Sequence, residues 1–198
     1  MSNEELANKI AQGIVESGVE GGTDNVCCST AGDYPCMGVS SWEGIGGRGD
    51  NLLSYLDGGQ KFIGRSYTDI VESDEKEELA TLLDSPQGQA AQRMILAGDC
   101  LEKYVPALEE VPELTNIQCI VYAGMWCPTS HYVVKRFLTR RSQMQDDNGN
   151  QMYNLNNLET LRDLFREQYA IAADIPENCY EGYANRADVT YEWVVNNV

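Results

Sequence analysis

Apolar positions first recur at helical spacing near the start of the chain. Leu6, Ile10 and Ile14 fall four residues apart, so they share one face and predict a helix over residues 3–16. Ser2 or Asn3 can cap its start, and Gly18, just past Glu16 and Ser17, marks its end. Glu16 then projects from the last turn, at the negative end of the helix dipole.

The pattern changes after Gly18. Residues 18–64 hold 12 of the 18 glycines, which predicts loops and short strands rather than long helices. Val39 to Trp42 is the strongest strand signal. Asp50 is placed to cap a short helix carrying Leu52, Leu53 and Leu56.

From Ser73 onward helical spacing returns. Ser73-Asp-Glu-Lys-Glu opens a helix with Leu79, Leu82 and Leu83 on its face. Ser85-Pro86 reads as a cap followed by proline at the first helical position. The next helix carries Ala90, Met94, Leu101, Val105 and Leu108, with Pro106 expected to end or kink it. Pro112 and Leu114 introduce a helix with Ile117, Ile120 and Val121, and residues 129–141 form one that is basic at its end. Asp146-Asp-Asn-Gly-Asn is a turn signal. Leu158, Leu161, Leu164 and Phe165 mark a further helix, and Tyr183, Tyr191 and Trp193 the last. Trp126, Trp193 and the C-terminal tyrosines read as core. The predicted class is mainly α (α+β): one domain over residues 1–198, with a Gly-rich lobe over about residues 17–70, a helical remainder, and a cleft between the two lobes in which a polymer could bind.

Composition narrows the function. At 198 residues, 42% hydrophobic and 23% charged, the chain can bury a full core. Its net charge of −17 argues against a nucleic-acid partner, which needs a basic face. No apolar run reaches the roughly 20 residues of a membrane span, so no membrane insertion is expected. The acidic opening, Met-Ser-Asn-Glu-Glu-Leu, lacks the layout of a signal peptide. The seven cysteines are an odd number, so they cannot all pair within one chain. Reduced cysteines acting as small hydrophobes, or one or more disulfides, both fit that count.

Several segments carry a resemblance. Glu16-Ser17-Gly18 resembles the opening of the catalytic motif of soluble lytic transglycosylases and goose-type lysozymes. Gly38-Val-Ser-Ser-Trp42-Glu-Gly, then Arg48 and Leu52-Leu53, is similar to a segment of phage tail lysozymes and clostridial wall hydrolases. Leu83-Asp84-Ser85-Pro86, with Gly88, Ala90 and Gln92, is similar to a helix start in the same clostridial group. Ala91-Gln92 and Tyr104-Val-Pro106-Ala107-Leu108 are more loosely similar to chitosanases, and Tyr122-Ala123-Gly124 to the Tyr-Asn-Ala-Gly of transglycosylases. Tyr183, Arg186, Tyr191 and Trp193 also have counterparts. The chain departs from the pattern in having Ser41 where the family has Gln before Trp, in a longer loop after Glu16, and in lacking the Asn after Tyr122.

This resemblance implies a lysozyme-like fold and cleavage of β-1,4 links between amino sugars in peptidoglycan glycan strands, without a cofactor. Glu16 would be the general acid, because glycoside cleavage needs a protonated carboxyl at the leaving oxygen. Asp33 or Asp24 would be the second carboxylate. A lytic transglycosylase needs Glu16 alone, since the sugar's 6-hydroxyl attacks. Tyr34, Ser41, Trp42 and Tyr122 would line the glycan groove. A phage or prophage role would keep the protein in the host cytoplasm until lysis, or in the virion or its tail.

His131 is the only histidine, which removes most zinc-amidase and serine-triad chemistry. No cysteine spacing matches a zinc motif, so no metal is expected. Two alternatives remain: a cysteine amidase or peptidase using Cys36 and His131, and a non-catalytic virion structural or binding protein with this fold.

Overall fold

The computed structural model describes residues 1–198, with 63% helix and 5% strand. The mainly α class is therefore as expected. The chain divides into two compact units, one of residues 14–96 and one of residues 1–13 with 97–198. The first unit extends well beyond the anticipated Gly-rich segment.

Helix α1 spans Asn3–Ser17. Ser2 caps it: the Glu5 N–H donates to Ser2 Oγ (3.2 Å), and the Ser2 N–H donates to Glu5 Oε2 (2.7 Å). This reciprocal pair satisfies amides that the first turn leaves open. Gly18 follows the helix in a left-handed conformation, φ 68°, as a helix-ending glycine does.

Within the unit of residues 14–96, three short strands form an antiparallel sheet in the order β1 (Val26–Cys28), β2 (Pro35–Met37) and β3 (Trp42–Glu43). The expected strand over Val39 to Trp42 is a turn for most of its length. Gly38 takes φ 70°, the Ser41 N–H donates to Gly38 O (3.1 Å), and pairing resumes at Met37↔Trp42. Strand β2, which opens on Pro35, lies in the segment expected to hold short strands but was not singled out. Pro35 is tolerated as the first residue of its strand: its carbonyl accepts from the Gly44 N–H (2.8 Å), while Gly44 O, opposite the proline nitrogen, accepts from the Gly47 N–H (3.3 Å) instead. Val26, Met37 and Trp42 are buried on one face of the sheet.

Helices α2 (Arg48–Ser54), α3 (Tyr67–Glu72), α4 (Lys76–Asp84) and α5 (Pro86–Asp99) follow. Asp50 does not cap α2; Gly47 holds that position, and Asp50 reaches back from the first turn to accept from the Gly46 N–H (2.6 Å). Ser73 ends α3 rather than opening α4. Ser85 caps α5, accepting from the Gly88 N–H (3.0 Å), with Pro86 at the first helical position as expected. The buried stripe of α5 is offset by one residue from the expected face. Ala91, Gln92, Ile95 and Leu96 are buried, while Met94 is 49% exposed.

The other unit is helical apart from one isolated bridge. Past α5 the chain widens into a π-helical turn, Cys100–Tyr104, and continues as α6 (Val105–Glu109). Pro106 therefore neither ends nor sharply kinks the path; the wider turn lies just where its ring would crowd a preceding carbonyl. Helix α7 is Ile117–Gly124, capped by Asn116, whose side chain accepts from the Gln118 N–H. Helix α8, Cys127–Ser142, is broken at Ser130 (φ 178°, ψ 111°), where Ser130 Oγ accepts from the Val133 N–H (3.4 Å) and restarts the helix. The Asp146–Asn150 segment is a tight hairpin closed by the Gln145↔Gln151 bridge. Helices α9 (Leu158–Leu164), α10 (Ala170–Ala172) and α11 (Tyr180–Asn197) complete the chain, with a second π turn at Phe165–Tyr169. The core of this unit is aromatic: Trp126 packs on Phe165 (4.6 Å between ring centroids) and Tyr169 (5.0 Å), and Tyr122 meets Phe165 edge-on (5.5 Å). No helix is long and apolar enough to cross a membrane.

Candidate functional site

Six of the seven expected site residues, Glu16, Asp24, Asp33, Tyr34, Ser41 and Trp42, lie in the unit of residues 14–96; Tyr122 lies in the other. Glu16 stands on the last turn of α1, 38% exposed at its side chain, with Arg93 Nη1 of α5 4.0 Å from its Oε1. The loop and sheet that follow Glu16 are anchored from beneath by one residue of α5. Gln92 is fully buried; its Oε1 accepts from the Val39 N–H (2.9 Å), and its Nε2 donates to Thr23 O (3.1 Å) and Leu83 O (3.0 Å). Asn25 donates to Ser41 Oγ (3.3 Å) across the base of the β2–β3 turn.

Asp24 and Asp33 are both exposed. Asp24 borders a shallow acidic depression with Glu77 and Asp84. Asp33 is fastened at the start of α3: its Oδ1 accepts from Thr68 N (2.9 Å) and Thr68 Oγ1 (3.0 Å). The main-chain bond from Thr68, first, and the hydroxyls of Thr68 and Ser66 hold its carboxyl below the usual carboxylate range. Asp33 is thus a charged carboxylate committed to a helix start.

Two expected groove residues are corrected. Trp42 is 6% exposed, its side chain turned to the buried face of the sheet with the Arg48 guanidinium 5.8 Å from its ring centroid. It presents no open ring for a sugar. Tyr122 is fully buried on α7, and its hydroxyl donates to Ala187 O (3.2 Å). Burial pushes its phenol far above its ordinary range. Helical spacing showed Tyr122 as part of α7 without showing that α9 and α11 close over it. Tyr34 is half-buried and Ser41 exposed, so both remain at the surface.

All seven cysteines are free thiols. Cys27 and Cys28 are exposed and Cys36 is buried. Burial above all, then the neighbouring Cys27 and Glu43, push the Cys36 thiol up, against an opposing hydrogen bond from Ser29. A nucleophilic cysteine needs the opposite shift. His131, in the other unit, packs between Tyr104 (5.9 Å) and Tyr132 (4.0 Å). Burial and Lys103 lower its pKa, with Asp99 opposing. No group of three or more His, Cys, Asp or Glu side chains is arranged to hold a metal ion.

Sequence reasoning named Gln92 only as part of a resembling segment and did not see Arg93. The available signal was a polar residue on a face otherwise made of Ala91, Ile95 and Leu96. A buried amide there must find partners on a neighbouring segment. Comparison with known proteins adds no assignment: no protein-family model, curated protein or solved structure matches the chain.

Proposed function

We propose that this protein cleaves peptidoglycan glycan strands, with Glu16 as the acid. The observation that carries the reading is the placement of Glu16: an exposed carboxylate on the last turn of α1, followed after a loop by an antiparallel sheet that a buried Gln92 anchors. Chemically, the Glu16 carboxyl gives its proton to the glycosidic oxygen as the bond breaks, leaving a carboxylate beside Arg93. Oxocarbenium-like charge on the sugar is then quenched either by water or by the sugar's own 6-hydroxyl. The second route suits a protein in which Asp33 is bound to Thr68. In the first, Asp24 or Asp33 orients the water. Tyr34 and Ser41 are the surface groups that contact the glycan. The lysozyme-like fold and a phage-borne role belong to this proposal and rest on the motif resemblance.

The test is mass spectrometry of peptidoglycan incubated with the protein and with Glu16→Gln. New reducing ends indicate hydrolysis and anhydro ends a transglycosylase, either one lost in Glu16→Gln. Release of free stem peptides would sink the glycosidase reading.

A second reading, a non-catalytic wall-binding or virion protein, is favoured by the burial of Trp42 and Tyr122. It predicts sedimentation with cell walls of several species and unchanged glycans. The cysteine-peptidase alternative is weakened by the buried, high-pKa thiol of Cys36.

A further inference from the structure

Strands β1 and β2 place Cys27 directly opposite Cys36 in an antiparallel ladder. The hydrogen-bond phase of that ladder can be read from its ends. The Gly38 N–H donates to Asn25 O (2.9 Å) and the Ser29 N–H donates to Tyr34 O (2.9 Å). Both pairs lie two residues along from Cys27↔Cys36, so that pair too is a hydrogen-bonded one, with Cα atoms about 5.5 Å apart. This separation sits inside the range of about 4.4–6.8 Å that a disulfide spans. Directly opposed residues also point to the same face. Cys28, one residue on, points to the other face and donates to Gly32 O (3.6 Å).

We infer that Cys27 and Cys36 form a thiol–disulfide couple, oxidised by low-molecular-weight disulfides of the glutathione type. Exposed Cys27 is reached first. Its thiolate attacks one sulfur of the reagent, forming a mixed disulfide and expelling one thiolate, which takes up a proton. Cys36 then loses its proton, attacks Cys27 Sγ and expels the second thiolate. Two protein thiols and one reagent disulfide become one protein disulfide and two reagent thiols. Buried Cys36 is shielded from the reagent and enters only the intramolecular second step, in which its place opposite Cys27 offsets a thiol that ionises less readily than a free one. The bond closes the β1–β2 hairpin, whose far end, Gly38-Val39, rests on Gln92. Oxidation therefore stiffens the segment that carries Asp33 and Tyr34. The inference stands independently of the glycosidase reading.

The experiment treats the native full-length protein with oxidised glutathione, blocks remaining thiols by alkylation, and maps fragments without reduction. A protease that cuts before aspartate separates Asp24–Gly32, with Cys27 and Cys28, from the fragment that begins at Asp33 and holds Cys36. The expected result is one species joining these fragments, lighter by about 2 Da than their sum. The link persists in Cys28→Ser. In Cys36→Ser it is replaced by glutathione held on Cys27. Three outcomes overturn the inference: a bond between Cys27 and Cys28 with Cys36 alkylated, a link that disappears in Cys28→Ser, or full alkylation of all three thiols. Cys28→Ser changes an exposed side chain, so the result does not depend on a core variant folding.

Discussion

The side-chain oxygen of Gln92 lies 2.9 Å from the main-chain nitrogen of Val39, and Gly38 is the residue that allows this approach. The same amide donates to Thr23 O and Leu83 O. One side chain of α5 thus satisfies three main-chain groups of the segment following Glu16 and of the end of α4. Gln92→Ala leaves those groups without their partner. The expected cost is about 2–4 kcal/mol, since each buried unsatisfied group costs roughly 1–3 kcal/mol and neighbouring losses are not additive. Urea unfolding followed by circular dichroism checks it: the midpoint falls while the slope is unchanged.

Gly38 carries the partner prediction. Its φ of 70° is one that side chains disfavour, and a Cβ there would lie 2.5 Å from Gln92 Oε1. Gly38→Ala is expected to destabilise by about 1–3 kcal/mol through backbone strain and displacement of the Gln92 amide. Because both changes break the same contact, the double variant Gly38→Ala/Gln92→Ala loses less than the sum of the two. A double-mutant cycle measures the difference, and strict additivity counts against the shared contact.

How much of this was legible in the sequence follows from the range of the interactions concerned. Ser2, Gly18, Ser85-Pro86 and the Asp146 turn act within a few residues of themselves, and each behaves as its local pattern predicts. The β2 strand and the turn at Val39 depend on contacts with Asn25 and Gln92, up to 53 residues away. Local propensity cannot carry that information. The site residues divide the same way. The position of Glu16 at a helix end is local and was readable. Whether Trp42 and Tyr122 face a ligand or the core depends on Arg48 and on Ala187 with Phe165, which no spacing rule connects to them.

Acid stability has a local centre at Glu75. Its carboxyl is pulled down to about 2, first by Arg65, then by Lys61 and Ser73. Between that value and the unfolded carboxylate value of about 4.3, the unfolded chain binds the extra proton. Stability from this group is therefore present above pH 4.3 and lost as pH falls toward about 2. The melting temperature of Glu75→Gln is expected to lie below that of the parent at neutral pH and to converge on it near pH 2. Added salt narrows the neutral-pH gap, because Lys61 and Glu75 are partly exposed. A gap that stays constant from pH 7 to 2 excludes the titration of Glu75 as its source.

Glu16 and Asp33 can be told apart by which property each variant loses. Glu16 is exposed at its helix end and its ion pair with Arg93 is long (4.0 Å) and at the surface, so Glu16→Gln should change the melting temperature little. In the proposed reaction it removes the proton donor, and glycan cleavage should fall by about 100-fold or more. Asp33 is engaged with Thr68 N and Oγ1, so Asp33→Ala should lower the melting temperature by loosening the start of α3. If the 6-hydroxyl route operates, cleavage by Asp33→Ala, measured below its own melting transition, stays within about tenfold of the parent. If water is the acceptor and Asp33 its base, cleavage collapses in Asp33→Ala as it does in Glu16→Gln. Rates from labelled peptidoglycan, read beside thermal unfolding of the same samples, separate these cases. Equal and small losses in both variants would overturn Glu16 as the acid, whereas intact glycans with the parent protein itself favour the wall-binding reading.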